Sequence, residues 1–289
     1  MGFPEGGAAR GGCRWPKRRS NVVAHAAPFV PAPARPSRHL GADVNDAQPV
    51  LEARGIVKRF GGVLALRGVD ASLNRGEIVA LVGDNGAGKS TLVKILCGVH
   101  HADQGEVLVE GRRVSIDSPN HALRLGISTV FQDLALVNQR DVANNMFLGQ
   151  EPRRYLFMVD RARMVREARV AIERLRVGLP DVRSKVGSLS GGQRQAVAVA
   201  RAWLQGGMIT LFDEPTAALG VREAARVMDL IRTMREEQHA ILLISHNLET
   251  VFDLADRIII LRHGTKIADL TKAETSKQDV VSLLTSGTV

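Results

Sequence analysis

Gly83-Asp84-Asn85-Gly86-Ala87-Gly88-Lys89-Ser90-Thr91 places two glycines, a lysine and a hydroxyl at the spacing Gly-x4-Gly-Lys-Ser, between an apolar run and a helical period. That spacing suits a phosphate group. The glycines let backbone wrap an anion without Cβ clashes. N–H groups at a helix start then face the anion, helped by the helix dipole. Lys89 is expected to reach the β- and γ-phosphates of a nucleotide, Ser90 to hold Mg²⁺ through its hydroxyl, and Thr91 to donate to a phosphate. The plain alternative is a Gly-rich strand-to-helix turn.

A second set lies further on. Met208-Ile209-Thr210-Leu211-Phe212-Asp213-Glu214 is an apolar run that ends in two acids. A buried parallel strand delivers its last residues to the carboxyl edge of its sheet, where ligands of open α/β sheets bind. Asp213 is expected there to hold Mg²⁺ through water, and Glu214 to polarise an attacking water as general base. Taken alone, the pair also fits a solvated strand end before a Pro215 turn. A third set is Leu189-Ser190-Gly191-Gly192-Gln193-Arg194-Gln195. A Ser followed by two Gly at a helix start makes another anion-binding terminus. One nucleotide does not need two such termini from the same chain. A dimer does, if each chain's second terminus closes over the other's nucleotide.

These residues need strands and helices to position them. Short, β-branched, nearly continuous apolar runs predict strands at Leu51–Phe60, Glu77–Gly83, Glu106–Glu110, Ile127–Phe131, Met208–Phe212, Ala240–Ser245 and Arg257–Leu261. Such runs suit strands buried on both faces. Helical periods cover Ser90–Val99, Arg161–Arg176, Gly191–Gln205 and Val221–Gln238. Strands alternating with helices predict an α/β layer fold with a parallel sheet.

The first 40 residues differ. They hold seven Lys/Arg, one acid, and six of the 11 prolines. Without apolar periodicity such a segment cannot offset its chain entropy, and disorder is expected over residues 1–48. It fits an inert tail or a misplaced start, a targeting segment, or a binding arm. The rest of the chain carries 32 basic and 29 acidic residues, so the overall charge of +9 belongs mainly to this segment. It is weak support for nucleic-acid binding by the folded part, and no nucleic-acid partner is expected. Eleven aromatics leave few stacking surfaces for single strands. Eight arginines against three acids between Arg153 and Arg176 read as a solvated helix face beside a membrane partner, with a nucleic-acid or lipid-headgroup patch as the alternative. Two cysteines, Cys13 and Cys97, exclude a disulfide framework or a cysteine zinc cluster. No apolar run approaches the roughly 18 residues of a membrane helix.

With Ser190–Gln193 beside the phosphate loop, the sequence resembles the ATP-binding cassette (ABC) superfamily from about Leu51 to Leu270, some three quarters of the chain. The resemblance implies a P-loop NTPase of α/β class: a mixed core sheet, an antiparallel β subdomain, and a helical subdomain over about 133–200 within a domain of residues 49–289. It implies ATP and Mg²⁺. It places Phe60 as an aromatic stacking on adenine, although an edge-strand core position would also suit that residue. It places Gln132 at Mg²⁺ and the attacking water, and His246 at the γ-phosphate. The stretches 83–90, 145–149 and 215–221 resemble the bacterial carbohydrate-uptake branch, fructose- or ribose-type. That branch implies a membrane permease, indirectly a periplasmic sugar-binding protein, and peripheral attachment to the cytoplasmic face of the inner membrane. It also implies a second cassette, from a homodimer or a homologue. One departure stands out. Gly220 follows Ala217-Ala218-Leu219 where the family usually has an aspartate that couples the two ATP sites. A soluble ABC ATPase acting on nucleic acid or ribosomes is the competing expectation.

Overall fold

A computed structural model describes residues 1–2, 48–155 and 157–286. The disorder expected for residues 1–48 falls almost entirely outside them. The chain divides into two units between Gly41 and Ala42, and the strands and helices of residues 48–286 lie in the second.

The first elements among the described residues are β1 (Leu51–Phe60) and β2 (Val63–Leu73), paired antiparallel. After β3 (Ile78–Val82) and α1 (Lys89–Leu96) come β4 (Gln104–Val109) and β5 (Arg112–Val114). These complete an antiparallel sheet of order β2-β1-β4-β5. Buried residues recur along one face of its strands: Leu51, Ala53 and Ile56 on β1, Leu66, Val69 and Leu73 on β2. That face packs on Leu92, Val93 and Leu96 of α1. Alternation of this kind is what a sheet with one wet face requires.

Next come α2 (Pro119–Arg124), β6 (Ile127–Val130), α3 (Val142–Met146), a hairpin of β7 (Arg153–Arg154) and β8 (Met158–Val159), then α4 (Arg161–Arg174) and α5 (Gly191–Gln205). Last are β9 (Ile209–Asp213), α6 (Val221–Glu236), β10 (Ala240–Ile244), α7 (Leu248–Leu254), β11 (Arg257–Arg262), β12 (Thr265–Thr271) and α8 (Lys277–Ser286). The main sheet runs β12-β11-β3-β10-β9-β6. Its members from β11 to β6 are parallel, and β12 is an antiparallel edge. The expected parallel core and mixed sheet are therefore both present.

β3 and β10 are buried at every position. On β3, Val79 and Leu81 face the layer beneath the antiparallel sheet, while Ile78 faces the helices α5 and α6 and Ala80 and Val82 face α7 and α8. Period two on a doubly covered strand yields a continuous apolar run, which is why these strands are legible as sequence. α3, α4 and α5 close around Val142, Met146, Met164, Ala168 and Val197. Buried Asn145 fastens the preceding loop: its Oδ1 accepts from Val137 N at 2.7 Å, and its Nδ2 donates to the carbonyls of Val137 at 3.1 Å and Asp141 at 2.9 Å.

Candidate nucleotide site

The loop between β3 and α1 has the shape its composition requires. Gly83, Gly86 and Gly88 have φ of 154°, 82° and 104°. A Cβ on Gly83 would lie 2.2 Å from Leu261 O, and one on Gly88 would lie 2.7 Å from Leu66 Cδ2 and 2.8 Å from Ala65 O. Gly86 faces open space and needs only its backbone angle. Lys89, 8% exposed, donates to the carbonyls of Gly83 at 2.7 Å and Asp84 at 3.0 Å. Asn85 and Ser90 are exposed, Ala87 is buried, and Thr91 is half-buried on the first turn of α1. Burial lowers the Lys89 pKa, opposed by the charges of Glu214, Asp84 and Asp213.

The carboxylates and the other catalytic candidates converge through sheet order. β6, β9, β10 and β3 are successive parallel neighbours, with Val130 opposite Phe212, Asp213 opposite Ile244, and Ile244 opposite Leu81. Gln132, Asp213–Glu214, His246 and Gly83 therefore leave the same sheet edge side by side. Glu214 takes φ +53°, and its N–H donates to Ile244 O at 3.0 Å. A non-glycine residue in that region is strained and is held by its surroundings. Its Oε1 lies 3.1 Å from His246 Nδ1, so the candidate base and the candidate γ-phosphate histidine touch. Burial raises the Asp213 pKa, and the neighbouring Glu214 charge adds to the rise.

Phe60 ends β1 and is 43% exposed, which rules out the edge-strand core position. Its ring meets His100 edge-on at 5.2 Å. Lys58 Nζ lies 5.4 Å from its centroid and pairs with Asp103 at 2.8 Å. Ser190 caps α5 in a capping box: its Oγ accepts from Gln193 N at 3.3 Å, and Gln193 Oε1 accepts from Ser190 N at 3.0 Å. Gln193 Nε2 reaches Gly178 O at 3.2 Å. Gly191 is exposed and Gly192 half-buried on the first turn. Among the described residues, none of the bonds of Ser190 and Gln193 reaches the Gly83–Thr91 loop. The two anion-type termini of this chain are not joined to each other.

Residue types alone do not reveal three further contributors. Gly264, in the turn before β12, donates its N–H to Ala87 O at 3.1 Å and so braces the phosphate loop from behind. Half-buried Arg201 of α5 donates to Leu134 O at 2.8 Å and Ala135 O at 3.0 Å, fastening α5 to the loop that carries Gln132. Glu223 of α6 lies beside the two small residues: a Cβ on Gly192 would come within 2.5 Å of its Cγ, and one on Gly220 within 2.8 Å of its Oε2. The space beside Gly220, which an aspartate side chain would enter, already holds a carboxylate. No local pattern signals these contacts, because Arg201 and Leu134 are 67 positions apart.

Residues 66–217 match the family described as ABC transporter. The chain belongs to the ABC transporter family. The cassette is 44% identical over 237 residues to the xylose/arabinose import ATP-binding protein of Sulfolobus acidocaldarius, covering 82% of this chain and 94% of the relative. It is 44% identical over 245 residues to the fructose import ATP-binding protein of Rhizobium meliloti, with the same coverage. The ribose import ATP-binding protein of Rubrobacter xylanophilus, again 44% identical, is matched over only 47% of its length. Among solved structures, a nucleotide-free ATP-binding cassette from an ABC transporter superposes with a TM-score of 0.72 at 26% identity, covering 82% of this chain and 95% of that one. An ATP-binding cassette in its ADP conformation does so with 0.72 at 27% and the same coverage. The cassette is thus an ATP-binding, ATP-hydrolysing subunit. No described helix is long and apolar enough to cross a membrane.

Proposed function

We propose that this cassette drives uptake of a sugar, most plainly a monosaccharide, by hydrolysing ATP beneath a separate membrane permease. The supporting observation is near end-to-end similarity to single cassettes named for xylose/arabinose and fructose import, combined with a hydrolytic edge complete in Lys89, Ser90, Gln132, Asp213, Glu214 and His246. A periplasmic sugar-binding protein would deliver the sugar, and the cassette would sit on the cytoplasmic face of the membrane. The domain reading stands alongside: an extension over 1–48, a cassette over 49–289, and a helical subdomain over about 133–200 that meets the permease.

In this reading Gly83–Gly88 wraps the phosphates, Lys89 neutralises them, and Thr91 donates to one. Phe60 stacks on adenine. Ser90, Gln132 and Asp213 offer hydroxyl, carboxamide and carboxylate oxygens, the hard donor set that Mg²⁺ takes. The second charge of Glu214 beside half-buried Asp213 also fits a cation there. Bound at that set, Mg²⁺ would supply charge neutralisation to the phosphates. Glu214 accepts the proton of the attacking water, and the His246 contact holds its carboxylate in place while the imidazole turns to the γ-phosphate. Two copies, or one copy and a homologous cassette, close over ATP with Ser190–Gln193 of each facing the other's phosphate loop.

The test is Glu214→Gln. It keeps side-chain size and removes the base, so ATP binding stays within a few-fold while turnover falls about 100-fold or more. In vesicles holding the permease, labelled-sugar uptake falls in parallel. Unchanged hydrolysis would remove Glu214 from its role. Intact hydrolysis with no sugar among xylose, arabinose, fructose and ribose accumulated would remove the transport reading.

A further inference from the structure

We propose that the β7–β8 hairpin, together with the arginines of α4, the helix that follows it in the chain, is a contact surface for an anionic phospholipid bilayer. Arg153 pairs with Val159 and Arg154 with Met158 across the hairpin, and Asp160 N–H closes its base on Pro152 O at 2.7 Å. From it project Tyr155, Phe157 and Met158, which are 79%, 87% and 67% exposed. Val159 beside them is exposed too. Large apolar side chains clustered in water mark a contact site.

The charge around the tip selects the partner. Arg154 lies over the Tyr155 ring at 5.5 Å. On α4, Arg161 pairs with Asp141 and Arg163 with Glu167. Among the described residues, Arg153, Arg154, Arg166 and Arg183 have no carboxylate in ion-pair range. A groove of about 460 Å³ along α4 is lined by Arg161, Arg166, Arg169 and Arg183 around Val165 and Val170, with Glu173 as its one carboxylate. Arg169 pairs with Asp181 at 3.8 Å, which among the described residues leaves Arg166 and Arg183 as its unpaired cations. Free guanidiniums bind phosphate in a bidentate way. Aromatic rings and a thioether on the hairpin that also carries Arg153 and Arg154 suit the boundary between headgroups and acyl chains. Nucleic acid would satisfy the arginines and stack on Tyr155 or Phe157, but it would leave Met158 and Val159 in water. An anionic membrane surface satisfies both sets. The contact does not depend on the sugar-import reading, because the chain alone would bind vesicles.

The experiment uses the full chain carrying Phe157→Trp, with wild type as background for the native tryptophans. On phosphatidylcholine vesicles containing phosphatidylglycerol, emission of the introduced indole shifts to the blue and is quenched by brominated acyl chains. On pure phosphatidylcholine it does neither. The triple variant Tyr155→Ser/Phe157→Ser/Met158→Ser keeps every arginine and residues 1–40, and it keeps the wild-type melting temperature. Its bound fraction on the anionic vesicles falls about tenfold. Sedimentation with vesicles while the indole stays in water would place the contact elsewhere and overturn the proposal. So would a blue shift that requires the permease, or equal binding by the triple variant.

Discussion

Single residues decide whether the phosphate loop keeps its shape, and the three glycines are not equivalent. Gly88 combines φ 104° with neighbours at 2.7 and 2.8 Å. Gly86 combines φ 82° with open space. Gly86→Ala therefore carries only the left-handed penalty, about 1–2 kcal/mol. Gly88→Ala adds a collision with the Ala65 carbonyl, roughly another 1–3 kcal/mol. Thermal melts would show Gly88→Ala well below Gly86→Ala, at about 2–4 °C per kcal/mol for a domain of this size. Equal melting temperatures would mean the loop yields where the contacts say it cannot. The motif spacing makes Gly83 to Thr91 legible from sequence, yet it ranks all its glycines alike. The ranking comes from Leu66, Ala65 and Leu261, which no local pattern brings near. Likewise Glu214 and His246 are each expected at the site, but their 3.1 Å contact follows from the order of β9 and β10 in the sheet.

Elements are legible in proportion to how fully they are buried. β9, β10, α5 and α6 can be read from sequence within a few residues, because both faces of the strands and a broad stripe of each helix carry apolar side chains. β2 is not legible, because Arg67, Gly68 and Asp70 interrupt it on a wet face. β12 is an edge strand whose polar residues, Thr265, Lys266, Asp269 and Thr271, follow no strict alternation. α3 spans five residues and is held by Asn145 rather than by its own period. Tertiary bonds of this kind carry predictions of their own. Arg201 ties α5 to the loop bearing Gln132 through two backbone carbonyls, and burial lowers its pKa. Arg201→Met strands both carbonyls, at about 1–3 kcal/mol each where they stay dry, and frees the loop. Steady-state assays are expected to show kcat falling several-fold at unchanged ATP affinity; a lower melting temperature with unchanged kcat would leave Arg201 only a fold-holding role. Just before β10, His239 is 6% exposed, and its Nδ1 has no hydrogen-bond partner among the described residues. Burial holds its pKa below 6.5. The unfolded chain then binds more protons than the folded one as pH falls through about 6.5, so folding stability drops over that window and levels below the depressed folded pKa. His239→Gln is expected to flatten the melting temperature between pH 7.5 and 5 relative to wild type, and parallel curves would contradict this.

At the scale of the whole molecule, the Gly83–Thr91 loop sits at the carboxyl edge of the main sheet, and Ser190–Gln193 sits at the tip of α5. The bonds made by the Ser190 and Gln193 side chains run between these two residues and to Gly178, and among the described residues none runs to the loop. The capping box takes one N–H of the first turn, and exposed Gly191 leaves the terminus accessible to an anion from outside the chain. In the proposed clamp, a second chain brings its phosphates to this helix start. Glu223 lies beside both Gly192 and Gly220, at the junction of the α5 tip with the loop after Glu214. Ser190→Arg separates the two arrangements, because it fills the tip without touching the phosphate loop of its own chain. Binding of ATP to the isolated chain should stay within about two- to three-fold, hydrolysis should fall at least about tenfold, and the ATP-dependent dimer of Glu214→Gln should dissociate on size-exclusion chromatography when Ser190→Arg is added. If ATP binding by the monomer collapsed along with hydrolysis, Ser190 would be serving its own chain's nucleotide. The head-to-tail clamp would then have to give way to a single-chain site.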